Sequence, residues 1–221
     1  MNGKADIIGE AGLKFFGKMS ASISHEIINV LAIINENAGL LEDFTFLIDQ
    51  GKPVDSERLK KLAQTVMKQV RRADLILKKM NQFAHSIDDP AKQVDLNEIL
   101  ELMTALADRL AAMRSVRLDN RPTQNPVMLK TAPFHLLNLL WLTLDFAMGV
   151  AGDDKTVELE PAATSTGTRV SFRRLGDLNP PASTDFPTGL EKALLARVGA
   201  EMTVNLAKKE IVLDFSGDVG A

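Results

Sequence analysis

A histidine, a carboxylate and a carboxamide occur close together in this sequence, at His25, Glu26 and Asn29. A neutral imidazole nitrogen is a good nucleophile near neutral pH and can carry a phosphoryl group. The carboxylate of the next residue could fix the tautomer of the ring and polarise it. A solvent-facing imidazole beside a carboxylate is unusual on a helix that only packs. The triplet alone leaves two interpretations open: an ordinary surface histidine with an acidic neighbour, which is the commoner case for a bare His-Glu pair, and a nucleophile for group transfer centred on His25.

The segment around this triplet has the apolar spacing of one long amphipathic helix. Apolar residues recur at three- and four-residue steps, which is the repeat of one helix face. His25 and Asn29 lie four residues apart, on a different and wetter face. No proline interrupts residues 12–49, so we expect a helix from Gly12 to about Asp49, on the order of 50 Å long. The expected packing face consists of Ile23, Ile27, Val30 or Leu31, Ile34, Ala38 and Leu41.

A second helix follows a short turn at residues 49–53. Gly51 is typical of a helix C-terminus and Pro53 prevents the helix from continuing, after which Asp55 or Ser56 supplies a new cap. The apolar spacing is then close to a heptad repeat, as in a bundle, and ends near Pro90. Its members are Leu59, Leu62, Val66, Gln69 or Val70, Ala73, Leu77, Met80 and Phe83.

Two such helices form an αα-hairpin, which has too little core to be stable alone. Dimerisation into a four-helix bundle covers both apolar faces, and we favour it over an isolated monomeric hairpin. We therefore predict a helical dimerisation domain at residues 1–90.

After residue 90 the pattern changes to short strands mixed with helices, which predicts an α+β domain at residues 91–221, a small α/β sandwich. Residues 133–150 are apolar nearly all round, as in a buried helix. The predicted helices are Glu98 to Met113, Pro133 to Val150 and Gly189 to Val198, the last stopped by Gly199. The predicted strands are Val116–Leu118, Pro126–Lys130, Lys155–Pro161, Thr168–Leu175, Met202–Leu206 and Glu210–Phe215. Asp119 to Asn125 and Gly176 to Thr188 are predicted loops, and Ser216 to Ala221 a frayed tail.

Composition narrows the class of protein. The chain has 221 residues, a net charge of −3 and no cysteine, which excludes thiol chemistry and thiolate metal sites and gives no reason to expect nucleic acid as a partner. No apolar run reaches the roughly 18 residues that span a bilayer, and the N-terminus does not read as a signal peptide. We expect a cytoplasmic protein that does not contact a membrane.

Metal binding is not indicated by the histidines. A zinc site of the HExxH type needs a second imidazole where Asn29 stands. We interpret His85 as a surface residue and His135 as a half-buried structural residue. No bound metal is therefore expected. Seven basic residues on the second helix form either a solvated face or a surface that attracts an acidic partner: Lys60, Lys61, Lys68, Arg71, Arg72, Lys78 and Lys79.

The hairpin and the domain after it together resemble the catalytic core of two-component sensor histidine kinases. The match to the phosphoacceptor helix of that family rests on Phe15 or Phe16, Ser22, Ser24, His25, Glu26 and Asn29. The family usually has proline where this chain has Val30, a change that should straighten the helix and leave the acceptor in place. The second domain matches in outline at residues 94–100, 134–147 and 188–200, so the resemblance covers nearly the whole chain.

The departures from the family pattern lie at its nucleotide motifs. Leu142 stands where the family has the asparagine that serves the magnesium–nucleotide complex. The adenine motif DxGxG would fall at residues 174–178, where its leading aspartate is Arg174 and one glycine remains. The phosphate loop has become residues 187–192, in which Pro187 removes a backbone donor and Glu191 adds negative charge. These losses imply a domain that does not bind ATP productively, and we expect no cofactor.

The resemblance then implies a histidine phosphotransferase that exchanges a phosphoryl group between His25 and the aspartate of a response-regulator receiver domain. The receiver would bring its own Mg²⁺, Glu26 would orient the imidazole, and Ile28 and Leu31 would add an apolar part to the docking surface. In the family, a carboxamide at the position of Asn29 is associated with phosphatase activity. The alternatives are an ATP-dependent kinase with a divergent nucleotide site, and a response-regulator phosphatase or non-catalytic scaffold that uses Asn29.

Overall fold

A computed structural model describes residues 2–178 and 186–216, with side chains from residue 7 onward. The chain divides into two compact units. Residues 20–81 form one, and residues 1–19 together with the chain from residue 82 form the other. The fold class is α+β, a long helical hairpin followed by a small sheet-and-helix domain, as the sequence predicts. The functional division into residues 1–90 and 91–221 stays a prediction.

Two helices form the hairpin. Helix α1 spans Asn2–Asp49 and helix α2 spans Ser56–Ala84. The prediction for α1 is confirmed at its end but starts ten residues too late, because the segment before Gly12 is also helical. Asp55 Oδ1 accepts a hydrogen bond from the Glu57 amide at 3.0 Å, which confirms the cap. After Ala84 the chain makes one 3₁₀ turn, so α2 stops before the predicted limit near Pro90.

The buried seam of residues 20–81 is narrower than the sequence predicts. Ile23 and Val30 are buried on α1, and Leu62 and Gln69 on α2. Five apolar residues assigned to the packing faces are instead exposed: Leu31, Ala38, Leu41, Val70 and Leu77. The reason is geometric. A single facing helix covers only a narrow line of residues along its partner, and the residues on either side of that line stay exposed.

The second domain contains two sheets. Strands β1 and β3 form an antiparallel pair, and the larger sheet has the order β2-β4-β5-β7-β6, with β2 parallel to β4 and every other pairing antiparallel. In chain order the elements are β1 Lys92–Asp95, α3 Leu96–Ala112, β2 Arg117–Asn120, β3 Met128–Thr131, α4 Pro133–Gly149, β4 Thr156–Thr164, β5 Gly167–Arg173, α5 Gly189–Val198, β6 Ala200–Asn205 and β7 Glu210–Ser216.

Most predicted elements of this domain are confirmed within a few residues, with three corrections. Strand β1 was not predicted. Strand β2 extends to Asn120, so Asp119 and Asn120 belong to a strand and not to the predicted loop. Ser216 belongs to β7 rather than to a frayed tail. Residues 179–185 of the predicted loop and 217–221 of the predicted tail lie outside the described residues. Gly199 ends α5 in the left-handed region with φ 67°, as expected of a glycine stop.

The side chain of Asp95 connects β1, α3 and the segment before β3 at the start of the second domain. Asp95 Oδ1 accepts hydrogen bonds from the Asn97 amide at 3.0 Å and from the Val127 amide at 2.9 Å. The first caps α3 and the second ties the segment before β3 to β1. The short strand β1 is therefore positioned by side-chain bonding as well as by its partner strand, which local apolar spacing does not reveal.

The core of the domain lies between the large sheet and α3, α4 and α5. Helix α4 is buried nearly all round, as predicted, with Leu136, Leu140 and Leu144 fully buried. Alternate residues of β4 and β5, such as Val157, Leu159 and Phe172, face this core. No helix among the described residues combines the length and the apolar character needed to cross a membrane.

An aromatic cluster ties the start of α1 to the end of α2 and to α4. The ring of Phe83 lies 5.3 Å from that of Phe15, 5.5 Å from Phe16 and 6.1 Å from Phe134, measured between centroids. Phe83 is 1% exposed. Aromatic pairs at these separations add to the stabilisation from burial alone.

Replacing Phe83 by alanine should lower the free energy of unfolding by about 3–5 kcal/mol, because a fully buried ring is lost and a cavity remains. Chemical denaturation measures this. Leu206→Ala is the control, since Leu206 is 54% exposed and should change stability by about 0.5 kcal/mol or less. Equal losses for the two variants would contradict a structural role for the cluster.

Candidate functional site

His25 and Asn29 lie on the solvent-facing side of α1, within the unit of residues 20–81. Both side chains are exposed. Their four-residue separation places them one above the other on the same side of the helix. The structure therefore brings the predicted nucleophile and the predicted carboxamide together, and a partner protein can reach both.

Glu26 has a different environment from His25. Its side chain is only 17% exposed, and its Oε2 lies 3.7 Å from Nη2 of Arg72 on α2. The carboxylate beside the imidazole is thus held near a cation that the facing helix supplies. Among the basic residues of α2, sequence reasoning did not single out Arg72, because the pairing depends on the antiparallel register of the hairpin.

An open groove of about 540 Å³ lies beside this site on α1. Each residue advances about 100° around the helix. On this count, most residues of the groove lie on one side of His25 and Asn29 lies on the other side. Ile28 is 59% exposed and Leu31 is 55% exposed. We call this surface the α1 strip, and it comprises Ile28, Leu31, Ala32, Ile34, Asn35 and Ala38.

In the other unit, the structure brings together positions that match the nucleotide motifs of the kinase family. Asn138, Leu142 and Leu190 line one cavity of about 280 Å³. The opposite wall is α1, whose residues between Ile7 and Lys18 reach into the same space. Much of the surface around Leu142 and Leu190 is thus apolar or covered by residues of α1.

Lys18 holds α1 against this wall. Its Nζ lies 4.6 Å from the centroid of the Trp141 ring and 3.6 Å from Oδ1 of Asp145. Arg114 also bonds Asp145, at 2.8 Å from Nη2 to Oδ1. A cation over an indole face is a favourable contact. The lysine next to the cavity is therefore already engaged in contacts within the chain.

The N-terminus of α5 is closed by its own side chains. Thr188 Oγ1 accepts a hydrogen bond from the Leu190 amide at 3.3 Å, and Glu191 accepts one from the Thr188 amide at 2.8 Å. This capping box satisfies donors that could otherwise bind phosphate. The sequence expectation was that Glu191 places charge in a phosphate site. The structure shows it 6% exposed and bonded to its own helix.

Arg174, at the position of the family's adenine-binding aspartate, points to the surface. It forms an ion pair with Asp154, and both side chains are more than a third exposed. The next residue, Leu175, is buried. Gly176 is closely packed, because a Cβ there would lie 3.2 Å from the carbonyl oxygen of Val150. The single retained glycine is therefore explained by backbone packing.

The other two histidines occupy the environments that the sequence predicts. His85 is exposed, and its Nδ1 lies 2.7 Å from Oδ2 of Asp88. His135 is half-buried, and its Nδ1 has no hydrogen-bond partner among the described residues. Burial, together with the positive charge of Arg197, lowers the pKa of His135 below its ordinary value. Within residues 2–178 and 186–216, no cluster of three metal-binding side chains occurs.

Comparison with known proteins gives similarity at the level of fold. No protein-family model matches the chain, and no curated protein matches it in sequence. The histidine kinase AdeS of Acinetobacter baumannii aligns with 88% of this chain and 98% of its own, with 11% identity and a TM-score of 0.49. A bacterial phosphotransferase aligns with 91% of this chain and 95% of its own, with 16% identity and a TM-score of 0.45.

The ATP-binding domain of PrrB from Mycobacterium tuberculosis aligns with 58% of this chain and 98% of its own, with 17% identity and a TM-score of 0.45. The chain is thus similar to histidine kinase catalytic cores and to a phosphotransferase. At this level of identity the likeness is one of fold alone.

The environment of His135 gives a prediction for the pH dependence of stability. Because its pKa is lowered in the folded state, the unfolded chain binds a proton more readily, and stability falls as the pH drops below about 6.5. His135→Gln removes this contribution. When the pH is lowered from about 7.5 to about 5, the melting temperature of the wild type should therefore fall more than that of the variant. A difference that is the same at both pH values would contradict the prediction.

Proposed function

We propose that the protein is a two-component histidine phosphotransferase, which exchanges a phosphoryl group between His25 and the aspartate of a response-regulator receiver domain. The observation that carries the proposal is the exposed imidazole on a long helix, with an exposed carboxamide one turn away and a carboxylate next to it that is held by Arg72. The resemblance in the sequence around His25 supports the same assignment.

The transfer step balances without a cofactor in this chain. The unprotonated ring nitrogen of neutral His25 attacks the phosphorus of the receiver's aspartyl phosphate, a nitrogen–phosphorus bond forms, and the phosphorus–oxygen bond to the aspartate breaks. The aspartate leaves as a carboxylate. The proton on the other ring nitrogen is released to solvent water. The reverse sequence returns the phosphoryl group to the receiver.

Glu26 and Asn29 have separate roles in this proposal. Glu26, held by Arg72, places a fixed negative charge next to the imidazole and favours the tautomer whose free nitrogen faces the partner. Asn29 lies beside the position that the phosphoryl group would occupy. Its carboxamide can bond the phosphoryl oxygens, or orient a water molecule for hydrolysis, which would make the protein a phosphatase toward the same receiver.

The donor is proposed to be a phosphorylated receiver rather than ATP. Three features support this choice. The helix N-terminus that would hold phosphate is occupied by Thr188 and Glu191. Leu142 lines the cavity where a magnesium ligand would be needed, and residues of α1 cover its opposite wall. A site with these contents offers few free donors to a polyphosphate.

The proposal also includes a homodimer. The apolar residues left exposed beside the hairpin seam continue along α1 from Leu31 through Ala38 to Leu41. A second copy of the same hairpin, which has the same heptad spacing, would bury them in a four-helix bundle. Ile28, which precedes this line on the α1 strip and is 59% exposed, is proposed to contact the receiver, and Lys68 and Arg71 on α2 to attract its acidic surface.

The phosphotransfer test uses receiver domains from the same cell, labelled on aspartate with radioactive phosphate. We expect acid-labile label to move to the full chain, and His25→Ala to abolish this transfer. Glu26→Gln should slow it by about 10-fold to 100-fold, since the positioning charge is lost and the nucleophile remains. Asn29→Ala should keep transfer to His25 and reduce any hydrolysis of the phosphorylated receiver.

His85→Ala is the matched control, because it removes an exposed histidine outside the proposed site and should transfer at the wild-type rate. Calorimetric titration with Mg-ATP is run in parallel. Micromolar binding together with autophosphorylation of His25 would replace the proposal with an ATP-dependent kinase. Loss of label from receivers at an equal rate with wild type and His25→Ala would replace it with a phosphatase or scaffold.

The dimer has a matched pair of variants. Leu40 and Leu41 are 44% and 45% exposed, and at about 100° per residue only Leu41 continues the line of Leu31 and Ala38. We expect Leu41→Glu to convert the protein to a monomer in sedimentation velocity, because it buries a charge in the interface. Leu40→Glu should leave the dimer intact. A monomeric wild type, or dissociation by both variants alike, would contradict this arrangement.

A further inference from the structure

A second cavity, of about 520 Å³, lies in the unit formed by residues 1–19 and the chain from residue 82, apart from the proposed phosphotransfer site. Its walls come from the start of α1, the turn after α2, and the ends of α4 and α5. They are mainly apolar, and Leu13, Phe16, Ile87 and Phe134 contribute most of the large side chains. Pockets of this size and character are typical of sites for small organic ligands.

Three of these side chains are unusually exposed for their type. Leu13 is 76% exposed, Ile87 is 62% exposed and Phe16 is 40% exposed. Single exposed apolar residues are common, but three around one concave site form a continuous apolar surface. Burying it under an apolar ligand would be favourable, because each square ångström removed from water contributes about 25 cal/mol.

Two glycines of α1 shape the cavity. A Cβ at Gly12 would lie 3.2 Å from Cε1 of Phe134, so this glycine allows α1 to approach α4 closely. Gly9 also lines the cavity, but a Cβ there would meet nothing within 4 Å. The space beside Gly9 is therefore open to a ligand. A glycine in the middle of a helix costs about 1 kcal/mol relative to alanine, which makes its presence here informative.

The polar groups of the cavity select the charge of the ligand. His135 Nδ1 is buried without a hydrogen-bond partner among the described residues. Arg197, on the last turn of α5, lines the same cavity, and within the described residues no carboxylate forms an ion pair with it. The acidic residue at the edge, Asp89, lies 3.7 Å from Nζ of Lys92. The cavity thus offers a cation and an unused imidazole nitrogen next to an apolar surface.

We propose that this cavity binds a small amphipathic anion, with an apolar chain or ring between α1 and α4 and a carboxylate beside Arg197 and His135. The guanidinium supplies charge and two parallel donors, and the imidazole Nδ1–H supplies a third. The apolar body fills the space beside Gly9. A neutral ligand would leave Arg197 unused, and a cation would meet its positive charge. The proposal is independent of the chemistry at His25.

The test measures binding of decanoate, decanol and decyltrimethylammonium to the full chain by isothermal titration calorimetry, each below its micelle-forming concentration. We expect saturable binding of one decanoate per chain, about tenfold weaker binding of decanol and no binding of the cation. Arg197→Gln should weaken decanoate by about tenfold and leave decanol unchanged. Equal affinities for the three probes, or no saturable decanoate binding, would overturn the proposal.

A pair of glycine variants locates the site. Gly9→Leu fills the cavity and should weaken decanoate by more than about tenfold, while Gly17→Leu makes the same change on α1 outside the cavity, where nothing lies within 4 Å of a Cβ. Circular dichroism checks that both variants fold. If the two bind decanoate alike, the ligand sits elsewhere and the proposal is wrong. Should Gly9→Leu fail to fold, Arg197→Gln with the three probes still decides.

Discussion

The contact among Phe15, Phe83 and Phe134 determines where the first turns of α1 lie. Because these rings pack together, the start of α1 and the end of α2 are fixed against α4, in the same compact unit as the sheet. The residues of α1 on either side of Phe15 then line two cavities in that unit. One aromatic cluster therefore both stabilises the domain and decides which of its surfaces are covered.

In the proposed function, the phosphoryl group on His25 comes from a partner protein and not from a nucleotide. His25 and Asn29 are exposed on α1, so a partner protein can reach both side chains. In the domain after the hairpin, several side chains at or near the positions that match the family's nucleotide motifs form contacts within the chain. Thr188 and Glu191 cap α5, and Lys18 contacts Trp141 and Asp145. These contacts support the proposal that the phosphoryl group is supplied by a receiver domain.

Sequence patterns predicted the parts of the structure that depend on local spacing. The limits of α5 and its glycine stop, the buried helix α4, and the exposure of His25 and Asn29 all follow from residue types at short range. What sequence did not predict depends on contacts between distant residues. The pairing of Arg72 with Glu26 requires the hairpin register, and β1 is fixed by β3 and by Asp95. The apolar residues Leu31 and Leu41 satisfied a helical repeat, but one facing helix cannot cover both flanks of a seam.

The capping box of α5 has an evolutionary consequence. The kinase family that the sequence resembles carries glycine at the position of Glu191. Restoring that glycine would remove the Glu191 half of the capping box while Thr188 remains, and a glycine inside a helix costs about 1 kcal/mol relative to alanine. Leu142 and Arg174 would still depart from the family's nucleotide motifs. A reversion at this one position therefore removes stabilising contacts from α5 without supplying the other residues of the family's nucleotide motifs.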